Sequence, residues 1–487
     1  IAPAVIPMDG FTGQFFPGGI WLQGFLEGTG RSERYAQQFA NRNPNLVPAP
    51  VVDEDGDGDL LDEIPLDLDD SGTFLDDYDE QQGPWPPQYP DDSEREHVYY
   101  RVFDGRIDVP GPNWPTEAYI DARAPGGESG RDIEVNMVPK VAQSGVAIYN
   151  LAGWFDGFIR GSFEWYGTLK DTNPSRILVF PGYHNLVKGF MYDEVGVEVP
   201  DMRAEYLRYF DHYLKGIDNG INTDPPIYLY NMFGDGWRAE QEWPLARQKL
   251  TTLYLGPEPS LSKDAPTQTG SSSYKVNYSH DRRYGENQSG RWMGLGAIVP
   301  IGSPLVNPQD AMSLTFTGIP LAENTEVTGH PIVELFVSSS EAYGDFFVYL
   351  ADVDEEGNSL MVTEGQLRAG WHKVYNNDKM IDGTPLDVKP ELPWGGYEEG
   401  QWVDGALAEG RIIRLTIDLA PTSWTFRKGH RVRVAVAGSN FPNFALHPKL
   451  SPSHDPGAAD TLAPSIDVHW GEAKQSRILL PVIPRVD

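Results

Sequence analysis

The sequence has 487 residues, with 38 lysines and arginines against 71 acidic residues, a net charge of −33 and no cysteine. Its length predicts about two or three domains with sizeable cores. The acidity argues against nucleic acid as a partner, because phosphate binding needs a basic face, and the missing cysteine excludes disulfides, thiolate zinc sites and a cysteine nucleophile in these residues. No apolar run approaches the roughly 18 to 20 residues of a membrane span, so none is expected.

The chain opens IAPAVIPMDGF, which reads as a strand already in progress and leads to the expectation that these residues are the downstream part of a longer product. An aromatic, glycine-rich segment follows, GFTGQFFPGGIWLQGF, and then a helical stretch, RSERYAQQFANRN. Residues 53–80 are an acidic block, and the proline-rich GPWPPQYPDD comes soon after it. The region to about 125 therefore reads as an insertion or cap of mixed order. Within the block, Asp53, Asp55 and Asp57 alternate and Gly58 comes next, as at the start of a calcium loop. The twelfth position is Ile64 where an EF-hand has glutamate, so Asp62 or Glu63 would have to close a shorter loop. The other reading is a solvated acidic run, and the two differ in whether calcium raises the melting temperature. A structural calcium is the only cofactor expected, and none is required for catalysis.

Strand patterning resumes at VAIYNLAGWFDGF, residues 146–158. Its apolar start predicts a strand buried on both faces, and the carboxylate of Asp156 follows just past the strand end. In RILVFPGYHNL, residues 176–186, another short apolar run ends at Pro181 and Gly182, with His184 in the loop beyond. If these strands are parallel neighbours joined by a crossover from Asp156 to about Pro174, the acid and the histidine emerge at one sheet edge, where open α/β sheets build their sites. Phe158, Phe163 and Trp165 are available to pack the crossover on the sheet. An aspartate that orients a histidine is the supporting half of a nucleophilic triad, in the order acid then histidine.

VPDMRAEYLRYFDHYLKGI predicts an amphipathic helix, with Met202, Tyr206, Tyr209, Phe210, Tyr213 and Leu214 near helical spacing and Gly216 closing it. From 226 onward short alternating runs, among them PIYLYNMF, PIVELFVSSS, DFFVYLADVD and RVRVAVAGSN, predict an all-β part of jelly-roll type. The expected divisions are 1–30, 31–125 (cap with acidic loop), 126–225 and 226–487.

In this order, GWFDGF, FPGYHN, YLRYFDHYLKG, MFGDGW, VTGHPIVELFVSSS, TEGQLRAGW and FRKGHRVRVAVAGSNFP resemble the cocaine-esterase and X-Pro dipeptidyl-peptidase (CocE/NonD) group of serine hydrolases over nearly the whole chain. The resemblance implies an α/β-hydrolase with an inserted cap, followed by a C-terminal jelly-roll β-sandwich. It implies Asp156 as triad acid, His184 as general base, and Phe15, Phe16 and Trp21 at the acyl pocket, where ordinary core packing is the alternative. Family members carry a Gly-x-Ser-x-Gly elbow, which these residues lack. The nucleophilic serine is therefore expected upstream of Ile1.

The expected activity is cleavage of an ester or amide through an acyl-enzyme, with an X-Pro dipeptidyl aminopeptidase or an α-amino-acid ester hydrolase as the alternative. An alternative of another class is a non-catalytic module that binds carbohydrate or protein. The expected partners are the substrate and the serine-bearing segment; self-association is left open. Trp237 and Trp243 read as packing residues at the β-part entry, and His212, His330, His372 and His430 show no metal-ligand spacing.

Overall fold

The stretch 148–153 lacks alternation because every residue of β1 (Ile148–Gly153) is buried. A computed structural model describes residues 1–22, 138–278, 291–292, 305–375, 380–381, 384–385 and 387–485, apart from 185, 188, 189, 194, 442 and 453–456. Asp53, Asp55, Asp57 and Asp62 thus lie outside the described residues. The chain divides into two units, one of Ile1–Leu22, Tyr119–Ala122 and Ser129–Asp487, the other of Gln23–Ala118 and Arg123–Glu128. The second lies wholly outside the described residues.

In the first unit, β1 follows helix α1 (Val138–Ser144) and pairs in parallel with β2 (Ser175–Phe180), with Gly153 opposite Phe180. The intervening crossover is helix α2 (Ile159–Leu169). Phe163, fully buried, stacks on Trp154 at 5.6 Å and on Trp243 at 4.1 Å, and the Trp165 indole donates to the Pro7 carbonyl at 2.8 Å. On the other edge of β1 the first residues run parallel to it, with Tyr149 N donating to Ile1 O at 3.0 Å and Leu151 N to Pro3 O at 2.9 Å.

After the short helix α3 (Phe190–Asp193) comes α4 (Met202–Lys215). It is capped by the Asp201 carboxylate, which accepts from Arg203 N and Ala204 N at 3.1 Å, and closed by Gly216 at φ 71°. Tyr209 is buried in a cluster with Tyr149, Leu151, Leu178 and Phe180. Leu214, which the periodicity put on the same face, is instead 77% exposed. It lies twelve residues beyond Met202, about 120° round the helix, and so past the edge of the packed stripe.

The alternating PIYLYNMF was expected in the β part, but β3 (Ile227–Asn231) pairs in parallel with β2, and β4 (Gly236–Glu240) completes an antiparallel edge of the same four-stranded sheet. Alternation reports one-sided burial, with Tyr228 at 38% exposure between buried Ile227 and Leu229, and one-sided burial does not say which sheet a strand joins.

The β part comprises β5 (Lys249–Gly256), β6 (Ser260–Ser262), β7 (Gly270–Lys275), β8 (Leu314–Gly318), β9 (Thr325–Gly329), β10 (Ile332–Ser339), β11 (Asp345–Val353) and β12 (Ser359–Arg368). After the two-residue pair β13 (Met380–Ile381) and β14 (Thr384–Pro385) it continues with β15 (Ile413–Asp418), β16 (Thr422–Phe426), β17 (Arg431–Ala437), β18 (Ser465–Trp470) and β19 (Arg477–Ile483). All but the short pair join one thirteen-stranded hydrogen-bonded sheet, antiparallel except where β6 meets β8. Its core includes the whole of β11, with Phe316, Leu335, Leu415, Trp424 and Val434. The two sheets meet where Met232, just past β3, exchanges hydrogen bonds with β16: Met232 N to Ser423 O at 2.9 Å and Thr425 N to Met232 O at 2.8 Å. No described helix is long and apolar enough to cross a membrane.

Buried at the same junction, His330 accepts from the Trp243 indole at 3.0 Å through Nε2. Burial, with a smaller contribution from Arg160, depresses its pKa from 6.5 to about 3. The neutral ring therefore contributes stability that is full above pH 6.5 and is lost as the pH falls toward 3. Relative to a His330→Gln variant, the wild type is expected to lose about 2 kcal/mol of stability between pH 7 and pH 5. Urea unfolding of both proteins at the two pH values reads this, and a constant difference would contradict it.

Candidate functional site

Asp156 and His184 are 28 residues apart in sequence and come together because β1 and β2 are adjacent, parallel and in register to their last residues. The two loops continue the pairing beyond the strands, with Trp154 N donating to Phe180 O at 2.9 Å and Phe155 N to Gly182 O at 3.0 Å. Gly153 allows this closeness, since a Cβ there would lie 2.6 Å from the carbonyl oxygens of both Gly182 and Tyr183. At Gly182 a Cβ would run into the Leu186 carbonyl. Aromatic packing backs the loops from behind, with Phe155 stacked on Tyr183 at 5.2 Å and edge-on to Phe190 at 5.5 Å.

The His184 Nδ1 atom lies 3.1 Å from Asp156 Oδ1. Asp156 is 3% exposed, whereas the imidazole is 22% exposed, so one end of the pair is shielded and the other reaches outward. In the tautomer that carries its hydrogen on Nδ1, that hydrogen is donated to the carboxylate and Nε2 is the acceptor nitrogen. The Phe158 ring meets the imidazole edge-on at 5.5 Å. Asp156 Oδ2 is buried and has no hydrogen-bond partner among the described residues. The Asp156 carbonyl accepts from Arg291 Nη1 at 2.9 Å.

A cavity of about 60 Å³ is lined among others by Phe158, Arg160, Glu164, Glu364 and Asp418; neither Asp156 nor His184 lines it. Arg160 Nε lies 3.3 Å from Glu164 and 3.2 Å from Asp418. Burial pushes the Glu364 carboxyl above its ordinary range, and Arg291 and Trp292 pull it back. Neither Phe16 nor Trp21 lines this cavity: Phe16 stacks on Phe11 at 4.8 Å and lies 5.0 Å from the buried Trp21. Of Phe15 only the backbone is described. Trp243 is buried between Phe163 and His330, and the Trp237 indole donates to Glu198 O. Among the described residues no group of His, Asp or Glu is arranged to hold a metal ion. Arg291 and Glu364 had no signal in the sequence, since nothing local marks a contact across 135 residues.

Comparison with known proteins adds a family. Residues 219–478 match the family model described as the X-Pro dipeptidyl-peptidase C-terminal non-catalytic domain. A Mycobacterium bovis protein that carries a serine esterase name is 33% identical over 500 residues, covering 99% of this chain and 72% of the relative. The cocaine esterase of a Rhodococcus species is 26% identical over 348 residues, 69% of this chain and 56% of the relative. Among solved structures, an aminopeptidase from a marine sediment Thaumarchaeota archaeon superposes with a TM-score of 0.61 at 17% identity, covering 99% of this chain and 72% of the other. An α-amino acid ester hydrolase gives a TM-score of 0.52 at 21% identity, covering 72% and 58%.

Proposed function

Because the chain belongs to the CocE/NonD family of serine hydrolases, which includes cocaine esterase and the X-Pro dipeptidyl-peptidases, we propose that Asp156 and His184 are the acid and base of a Ser-His-Asp triad that cleaves an ester or amide. The 3.1 Å approach of these two side chains past the ends of adjacent parallel strands carries this reading. On it, the four-stranded sheet is the downstream part of an α/β-hydrolase and the thirteen-stranded sheet is the jelly roll.

The nucleophile is a serine outside these 487 residues, which contain no Gly-x-Ser-x-Gly. His184 Nε2 takes the serine proton as the hydroxyl attacks the carbonyl carbon, then returns it to the leaving alcohol or amine, giving an acyl-enzyme. Water repeats the cycle and releases the acid. The buried Asp156 carboxylate holds the ring in the required tautomer and stabilises the imidazolium that forms in each half. The esterase names of the relatives at 33% and 26% identity favour an ester substrate.

Labelling with a fluorophosphonate tests the reading on the natural protein containing these residues. Expected is one labelled serine outside them and loss of the label in His184→Ala. A label that survives His184→Ala at the wild-type rate would remove the base from the mechanism.

A further inference from the structure

The dipeptide Arg291–Trp292 bridges the acid's loop and the β part. The Arg291 side chain is fully buried, and its Nη1 donates to the backbone carbonyl of Asp156 at 2.9 Å. On its other side, Nε lies 3.4 Å from Oε1 of Glu364, a side chain of β12 that is 3% exposed. Trp292 follows the same path. A Cβ on Gly157, the residue after Asp156, would touch the Arg291 carbonyl at 3.4 Å and the Trp292 ring at 3.5 Å. The Trp292 indole meets Phe444 at 5.4 Å, and Phe444 meets Phe347 of β11 at 5.2 Å. The peptide carrying the acid is thus held by a polar link to one strand of the large sheet and an aromatic link to its neighbour.

We infer that Arg291 is a positioning residue for the Asp156–His184 pair and that Glu364 anchors it, so that the β part, whose family description calls it non-catalytic, sets the geometry of the site. This rests on the reading of Asp156 and His184 as acid and base. A buried guanidinium and carboxylate are costly to desolvate and need each other, yet apolar residues of similar volume often replace such a pair without loss of stability. Stability alone therefore gives no strong reason for the pair, whereas the hydrogen bond to Asp156 O gives it a task. It fixes the peptide from which the carboxylate projects toward His184. A displacement of about 1 Å in such a constellation costs about a hundredfold in rate.

The test uses the natural protein complete with its serine, assayed with an aryl ester. In Arg291→Met/Glu364→Leu the charge pair is replaced by apolar bulk and the bond to Asp156 O is lost. Expected are a melting temperature close to wild type, an unchanged KM and a kcat lower by about 10- to 100-fold, with a changed titration of the His184 ring by NMR. A folded double variant with wild-type kcat and wild-type His184 titration overturns the inference. Should the double variant not fold, Arg291→Lys decides, because it keeps the charge but lacks the fork that reaches both partners. Its kcat is expected to fall with KM unchanged, and a kcat within twofold of wild type overturns the inference. His184→Ala separates the two claims: if it remains active the acid–base reading itself fails, whereas an inactive His184→Ala beside a fully active double variant sinks only the role of Arg291.

Discussion

On the proposed triad, replacing His184 by alanine in the natural protein is expected to lower kcat by about a millionfold with little change in KM, because loss of the base removes nearly all the benefit of the other two members. Asp156→Asn is expected to cost less, about ten-thousandfold, since the asparagine amide presents a donor where His184 Nδ1 needs an acceptor and favours the wrong tautomer. The ordering follows from the geometry. His184 is the partly exposed member that can reach a substrate, whereas Asp156, 3% exposed, acts only through the ring 3.1 Å away. Steady-state kinetics on an ester substrate reads both values. Equal, small losses in the two variants would mean that the pair is a structural contact and that the chemistry lies elsewhere.

Gly153→Ala is expected to damage the site through the backbone alone. The added methyl would sit 2.6 Å from two carbonyl oxygens, those of Gly182 and Tyr183, and neither belongs to a flexible side chain that could swing away. The loop carrying His184 must move off the end of β1, and the contact with Asp156 lengthens with it. Overpacking of this kind destabilises by about 1–3 kcal/mol, and a misplacement of about 1 Å lowers the rate by about a hundredfold. Gly182→Ala, aimed at the Leu186 carbonyl from the other loop, is expected to behave alike. Gly400→Ala is the control, since a Cβ there meets nothing within 4 Å. Melting temperature and kcat measured together give the result: a Gly153→Ala protein as stable and as active as Gly400→Ala would show that the loops need no such closeness.

Several features were legible in the sequence because they depend on neighbours along the chain. Continuous apolar runs mark strands buried on both faces, so β1 and β2 could be read with the residues that follow them, and α4 announces itself through its aromatic stripe and Gly216. A loop residue's position relative to a strand end is local information, which is why Asp156 and His184 could be singled out as candidates. Other features were not legible because they are set by packing between distant segments. The alternation of β3 records which of its faces is wet, and only hydrogen bonding to β2 decides which sheet it joins. Leu214 lies at the margin of the helical stripe, where a small rotation separates burial from 77% exposure. The contacts of Phe16 with Phe11 and Trp21 were likewise not legible, because they join rings whose approach is set by the fold of the loop and not by their order along it.

By itself, then, the sequence determined the chemical types at the strand ends, the character of the two parts of the chain and the family to which it belongs, since residue type and short-range periodicity are properties of the chain. The tertiary structure alone decided the 3.1 Å contact between Asp156 and His184, and the bond from Arg291 to the acid's carbonyl. Such distances follow from strand register, from glycines that admit close backbone approach and from a buried charge whose counter-charge lies 73 residues away on β12, and they are fixed only when segments distant in sequence pack together.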